Sequence, residues 1–198
     1  MKILVVEDRP ENIEEAKKYF AERQDIVVDY AKDYKEAIER LDSKDGLICD
    51  LFFPEETGTG KKGKGKELYI KIGEEILRSE HGFAIRDLDD LYDDVWKNPD
   101  EAKQPLGVLV IEEARSRNIP YTVTSSMHAA HGSSATPVAV YLVRSGLLKD
   151  ENSVIESGNY GFNRHATGEP REAELTNPRY VKGRDVWETA ANSLLEKI

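Results

Sequence analysis

Two short apolar runs, each ending abruptly in carboxylates, constrain this chain more than any other feature. Met1-Lys2-Ile3-Leu4-Val5-Val6 runs straight into Glu7 and Asp8, and Leu47-Ile48-Cys49 runs straight into Asp50. Runs this short and continuously apolar read as strands buried on both faces, the arrangement of a parallel sheet covered by helices. The intervening segments agree. Pro10 suits the first turn of a helix, and Ile13, Ala16 and Phe20 line one side of a helix reaching Arg23. Ile26–Tyr30 is another apolar run, and Asp33 is placed to cap a helix carrying Ala37, Ile38 and Leu41. Asp45-Gly46 then turns the chain into the strand that ends at Asp50. A β-α-β-α-β order implies parallel strands joined by right-handed crossovers.

In an open parallel sheet, ligands bind in the crevice beyond the carboxyl ends of the strands. Glu7, Asp8 and Asp50 would be delivered there together. Three carboxylates at close range repel unless a cation joins them, so they form a candidate divalent-metal site, with Asp50 a candidate reactive group. Cys49, within the apolar run, reads as a small buried residue rather than a nucleophile. As the sole cysteine it excludes an internal disulfide framework and fits a reducing cytoplasm.

The regularity breaks after Pro54. Gly58-Thr59-Gly60-Lys61-Lys62-Gly63-Lys64-Gly65-Lys66 reads as a flexible basic loop. Gly58 to Lys64 satisfies the glycine and lysine spacing of a P-loop, but Gly65 stands where a Ser or Thr must hold Mg²⁺, and the shifted frame fails at Glu67. Leu68, Ile72, Ile76 and Leu77 suggest a helix, and the acidic stretch Asp87–Asp94 reads as a solvated helix face without calcium-loop spacing. A helix is expected from Pro105 to Arg117, a fourth strand over Ile119–Thr124, a helix over Val138–Leu147 and a short fifth strand at Ser153–Ile155. Gly158 to Gly183 lacks a period and reads as a long loop; Asp185–Leu195 closes the chain as an amphipathic helix.

A length of 198 residues suits a single domain over 1–198, with an insertion at about 55–104 and the irregular loop at about 158–183. The net charge of -10 argues against nucleic acid or an anionic membrane as partner. No apolar run spans a bilayer and no signal-peptide pattern opens the chain, so a cytoplasmic location is expected.

Val5-Val6-Glu7-Asp8-Arg9-Pro10-Glu11-Asn12 resembles the first strand and acidic pair of a two-component response-regulator receiver domain, the CheY-like family. Asp45-Gly46-Leu47-Ile48-Cys49-Asp50-Leu51-Phe52-Phe53-Pro54 resembles the family's phosphoacceptor segment, with its proline four positions after the aspartate. Ile119-Pro120-Tyr121-Thr122-Val123-Thr124-Ser125-Ser126 is similar to its fourth strand, which ends in a hydroxyl residue. The likeness runs from residue 1 to Pro54, resumes near Pro105 and becomes poor after Ser126.

The resemblance implies a flavodoxin-like, doubly wound sheet of five parallel strands with a large insertion after the third. It implies phosphorylation of Asp50, with Mg²⁺ held by Asp8, Asp50 and the Phe52 carbonyl, and by Glu7 mainly through water. Ser125 takes the role of hydrogen-bonding the phosphoryl group, with Thr124 and Ser126 as close competitors. The implied partners are a histidine kinase or phosphotransfer protein and a downstream protein target, with output by protein–protein contact because no second domain is evident. Receivers also carry a lysine at the end of the fifth strand, and here Glu156 or Ser157 stands there. Lys149 comes too early and Lys182 lies beyond the long loop; Lys182 or a lysine of the basic loop could substitute. Two other expectations stay open: a pseudo-receiver that binds without phosphotransfer, and a Mg²⁺-dependent phosphohydrolase using the same crevice. His128 and His131 follow Ser125 closely and read as lining the crevice rather than as a transition-metal pair, because no third ligand is identifiable; His81 and His165 read as surface residues.

Overall fold

The structure is a computed structural model and describes residues 1–77, 85–93, 95, 104–125, 135–149, 153–156 and 181–198. Its strands are β1 (Lys2–Val6), β2 (Val27–Ala31), β3 (Gly46–Cys49), β4 (Tyr121–Ser125) and β5 (Val154–Glu156). They form one all-parallel sheet in the order β2-β1-β3-β4-β5. The helices are α1 (Pro10–Ala21), α2 (Tyr34–Arg40), α3 (Gly63–Leu77), α4 (Ile85–Tyr92), α5 (Gly107–Ser116), α6 (Ala135–Arg144) and α7 (Arg184–Leu195). This is the flavodoxin-like α/β arrangement expected from the alternating pattern. No helix among the described residues is long and apolar enough to cross a membrane.

Strand alternation divides the core in two. Leu4, Val6, Leu47, Cys49 and Val123 face one side, where Ala37 of α2, Ile111 of α5 and Leu142 of α6 meet them. Ile3, Val5 and Ile48 face the other, against Ala16 and Phe20 of α1 and Trp187, Ala190 and Leu194 of α7. Gly46 lets α7 come close, since a Cβ there would lie 2.9 Å from the Leu194 side chain. Asp33 caps α2 as expected, its Oδ1 accepting the Glu36 N–H at 2.8 Å. Its Oδ2 accepts the Thr57 N–H at 3.0 Å, while Tyr34 and Lys35 donate backbone bonds to Pro54 and Glu55. The turn after β3 is therefore fastened to the start of α2.

The long excursion after β3 returns to its origin. Phe53 and Gln104 exchange backbone hydrogen bonds of 3.1 and 3.2 Å. The elements described between them, α3 and α4, pack against α6, whereas α5 provides the helix lying on β3 and β4. On α3, Leu68, Ile72 and Ile76 are buried at helical spacing, but Leu77 is exposed. In the acidic stretch, Leu91 is buried and holds α4 to the core.

The basic stretch departs from the flexible loop expected of it. Gly63 to Lys66 already belong to α3, and the preceding turn is held by the buried Gln104 side chain. The Gln104 Nε2 donates to the Lys61 carbonyl at 2.9 Å, and the Gly65 N–H donates to Gln104 Oε1 at 3.1 Å. Gly65 permits this contact, because a Cβ there would stand 2.0 Å from Oε1. Glycine composition suggested freedom; here it serves close approach and the positive φ angles of Gly58 and Gly60.

Candidate functional site

Register carries the acids into one place. Val6 pairs with Cys49 across β1 and β3, so Glu7 and Asp50 emerge side by side one residue later. The ladder bonds continue past the strand ends: Asp50 N–H donates to the Val6 carbonyl and Glu7 N–H to the Ala31 carbonyl, both at 2.9 Å. Glu7, Asp8 and Asp50 each offer a carboxylate oxygen within 4.8 Å of the others. Glu7 and Asp50 are buried and Asp8 is half-buried.

Gly107 fixes the backbone beneath the site. The first residue of α5 donates its N–H to the Leu51 carbonyl at 3.0 Å. A Cβ at this position would lie 2.2 Å from the Asp50 carbonyl oxygen and 2.6 Å from Leu51 Cα. Only glycine lets the helix start sit this near the chain that carries Asp50.

A fourth residue completes the cluster, and it is a lysine. Lys182 Nζ donates to Glu7 Oε2 at 2.6 Å, to Asp50 Oδ1 at 2.8 Å and to Thr124 Oγ1 at 3.3 Å. Its side chain is 1% exposed. Burial works against the charged form, but the charges of Asp50 and Glu7 and their hydrogen bonds outweigh it and raise the Lys182 pKa above the ordinary lysine range. The remaining carboxylate oxygens are also engaged. Glu7 Oε1 accepts the Arg9 N–H at 3.1 Å, and Asp50 Oδ2 receives a long 3.4 Å contact from the Phe52 N–H.

Among the described residues, Glu7, Asp8 and Asp50 bring carboxylate oxygens together at the ends of β1 and β3. An all-oxygen donor set is what Mg²⁺ requires, so the residues present fit that ion.

The hydroxyls of β4 divide between the two sides of the sheet. Thr122 bonds Ser193 of α7, and Thr124 meets Lys182, so both face α7. Alternation turns Ser125 the other way, and its buried Oγ has no hydrogen-bond partner among the described residues. Phe52, whose carbonyl is the expected metal ligand, is buried beside Asp50. Ser126, His81, His128, His131 and His165 lie outside the described residues.

Sequence reasoning left the lysine unassigned, because β5 ends at Glu156 without one and residues 157–181 intervene. Of the expected loop from Gly158 to Gly183, residues 158–180 lie outside the described residues; Val181, Lys182 and Gly183 belong to neither helix nor strand, and Lys182 is anchored in the core. The available signal was its place directly before α7, the helix that packs on the same sheet face as Asp50. No known protein family matches this chain, and neither does any curated protein or any solved structure.

Proposed function

We propose that this chain is a receiver-like signalling domain that accepts a phosphoryl group on Asp50 in a Mg²⁺-dependent transfer. The donor would be a phosphohistidine of a kinase or phosphotransfer protein, and the output a protein–protein contact. The observation that carries this reading is Lys182. Its ammonium joins Glu7 and Asp50 in one buried cluster, from a part of the chain 132 positions beyond Asp50.

The chemistry follows from charge. An aspartate attacking a phosphoryl donor brings two anions together, which is unfavourable by several kcal/mol at short range in a low-dielectric crevice. Mg²⁺ held by Asp8, Asp50 and the Phe52 carbonyl, with Glu7 acting through water, would supply the charge to offset that repulsion. An Asp50 carboxylate oxygen would form the new bond to phosphorus as the bond to the donor nitrogen breaks and its electron pair leaves with the donor. Lys182 would then pair with a phosphoryl oxygen. Ser125, whose buried hydroxyl has no partner among the described residues, would donate to another and draw in the chain after β4.

Incubation with Mg²⁺ and acetyl phosphate tests this directly. Intact mass should show one added phosphoryl group in the wild type and none in Asp50→Asn. Omitting Mg²⁺ should abolish the adduct, and Asp8→Asn should reduce it strongly. A wild type that gains no mass with any small phosphodonor would overturn the proposal and leave the fold as a binding module.

A further inference from the structure

Lys182 does not hang from β5; its backbone is gripped between two helices. The Lys182 N–H donates to Asn12 Oδ1 of α1 at 2.9 Å, and the Lys182 carbonyl accepts from Trp187 Nε1 of α7 at 2.9 Å. Both partners are completely buried. The Trp187 ring also lies under the head of the same side chain, with Nζ 5.8 Å from its centroid. We infer that Asn12 and Trp187 are positioning residues: their clamp on the Lys182 backbone sets where its ammonium meets Asp50 and Glu7.

Geometry and cost both favour this assignment. Residues 157–181 separate Lys182 from β5, so strand pairing cannot fix its position. A lysine has four rotatable side-chain bonds, and a defined ammonium position requires a defined backbone beneath it. The clamp supplies both backbone bonds, one on each side of the residue. Asn12 does so at a penalty, because its Nδ2 is buried without a hydrogen-bond partner among the described residues. Leaving a buried donor unpaired is a net cost to the fold. A leucine of similar size would avoid that cost but would leave the Lys182 N–H without its acceptor. The amide oxygen, not the volume, is what the site uses at position 12.

The functional consequence rests on the receiver-like reading, while the clamp itself is testable without it. Lysine-selective ¹⁵N NMR can follow the Lys182 ammonium with no phosphodonor present. Held by two carboxylates and shielded from water, it should give a slowly exchanging signal that Lys182→Arg removes. Asn12→Leu and Trp187→Phe should broaden or abolish that signal while their amide spectra remain those of a folded protein. Asn12→Asp, which keeps an acceptor for the Lys182 N–H, should retain it. A role in packing alone predicts the reverse order, with Leu tolerated and Asp not. Where the wild type is phosphorylated, the leucine and phenylalanine variants should react about 10–100-fold more slowly, the scale of a misplacement near 1 Å.

An unchanged ammonium signal in both Asn12→Leu and Trp187→Phe would overturn the clamp. If Trp187→Phe fails to fold, the Leu and Asp pair at position 12 decides alone. A wild type without phosphorylation would sink the receiver-like reading and leave the ammonium signal to judge the clamp.

Discussion

Lys182 Nζ lies 2.8 Å from Asp50 Oδ1 in a buried ion pair, although the two residues are 132 positions apart in sequence. The same ammonium binds Glu7, so one cation serves two carboxylates that would otherwise be buried against each other. Removing it should be severe. Lys182→Met is expected to destabilise the fold by about 3–5 kcal/mol, the usual result of stranding a buried charge. Added Mg²⁺ should recover part of that loss and shift the urea midpoint more in the variant than in the wild type, because it replaces the missing charge. Equal midpoints for variant and wild type without Mg²⁺ would contradict the description of this cluster.

The two hydroxyls at the end of β4 should behave oppositely. Thr124 Oγ1 accepts from Lys182, whereas Ser125 Oγ is buried without a partner among the described residues. Thr124→Val should cost about 1.5–3 kcal/mol, the value of a hydrogen bond to a charged group. Ser125→Ala should be neutral or stabilising, since it removes an unsatisfied polar atom. If Ser125 serves the phosphoryl group, the same alanine variant should lose any structural response to beryllofluoride. Chemical denaturation checks the first pair of outcomes and NMR shift changes the second.

Gly107 offers a test of the site's floor. Alanine there would drive its methyl group to within 2.2 Å of the Asp50 carbonyl, so α5 or the β3 end must move. Overpacking of this kind costs about 1–3 kcal/mol. Divalent-ion affinity, read by calorimetry, should fall together with stability. Unaltered affinity would show that the Asp50 backbone is not set by the start of α5.

The turn after β3 should carry an acid signature. Hydrogen bonds from Lys35 and then Lys61 hold the Glu56 carboxyl down to about 2, from an ordinary value of 4.5. A depressed folded-state pKa stabilises the fold above the unfolded value, and that contribution is lost as pH falls from about 4.5 toward 2. Carboxyl-detected NMR should therefore place the Glu56 midpoint near 2, whereas a midpoint near 4.5 would mean the two lysines do not engage it in solution.

The parts of this molecule governed by local pattern were legible in its sequence. Apolar runs gave β1 and β3, the Asp33 cap marked the start of α2, and strand ends brought Glu7, Asp8 and Asp50 together. Features set by contacts between distant residues were not legible. Lys182 meets Asp50 across 132 positions and its N–H meets Asn12 across 170, relations with no short-range signature. The glycine–lysine stretch misled for a similar reason. Its glycines look like flexibility, but Gly65 is there to admit the side chain of Gln104, 39 positions away. Alternation along β4 put Thr124, not Ser125, beside the lysine, a distinction of one residue at a strand end whose register depends on β3.

The most direct test is to locate the modified residue. After incubation with Mg²⁺ and acetyl phosphate, borohydride reduction converts an acyl phosphate of aspartate to homoserine, which peptide mass mapping can assign. Homoserine at position 50, lost in Asp50→Asn, is the predicted result. Reduction at another carboxylate, or at none, would contradict the account.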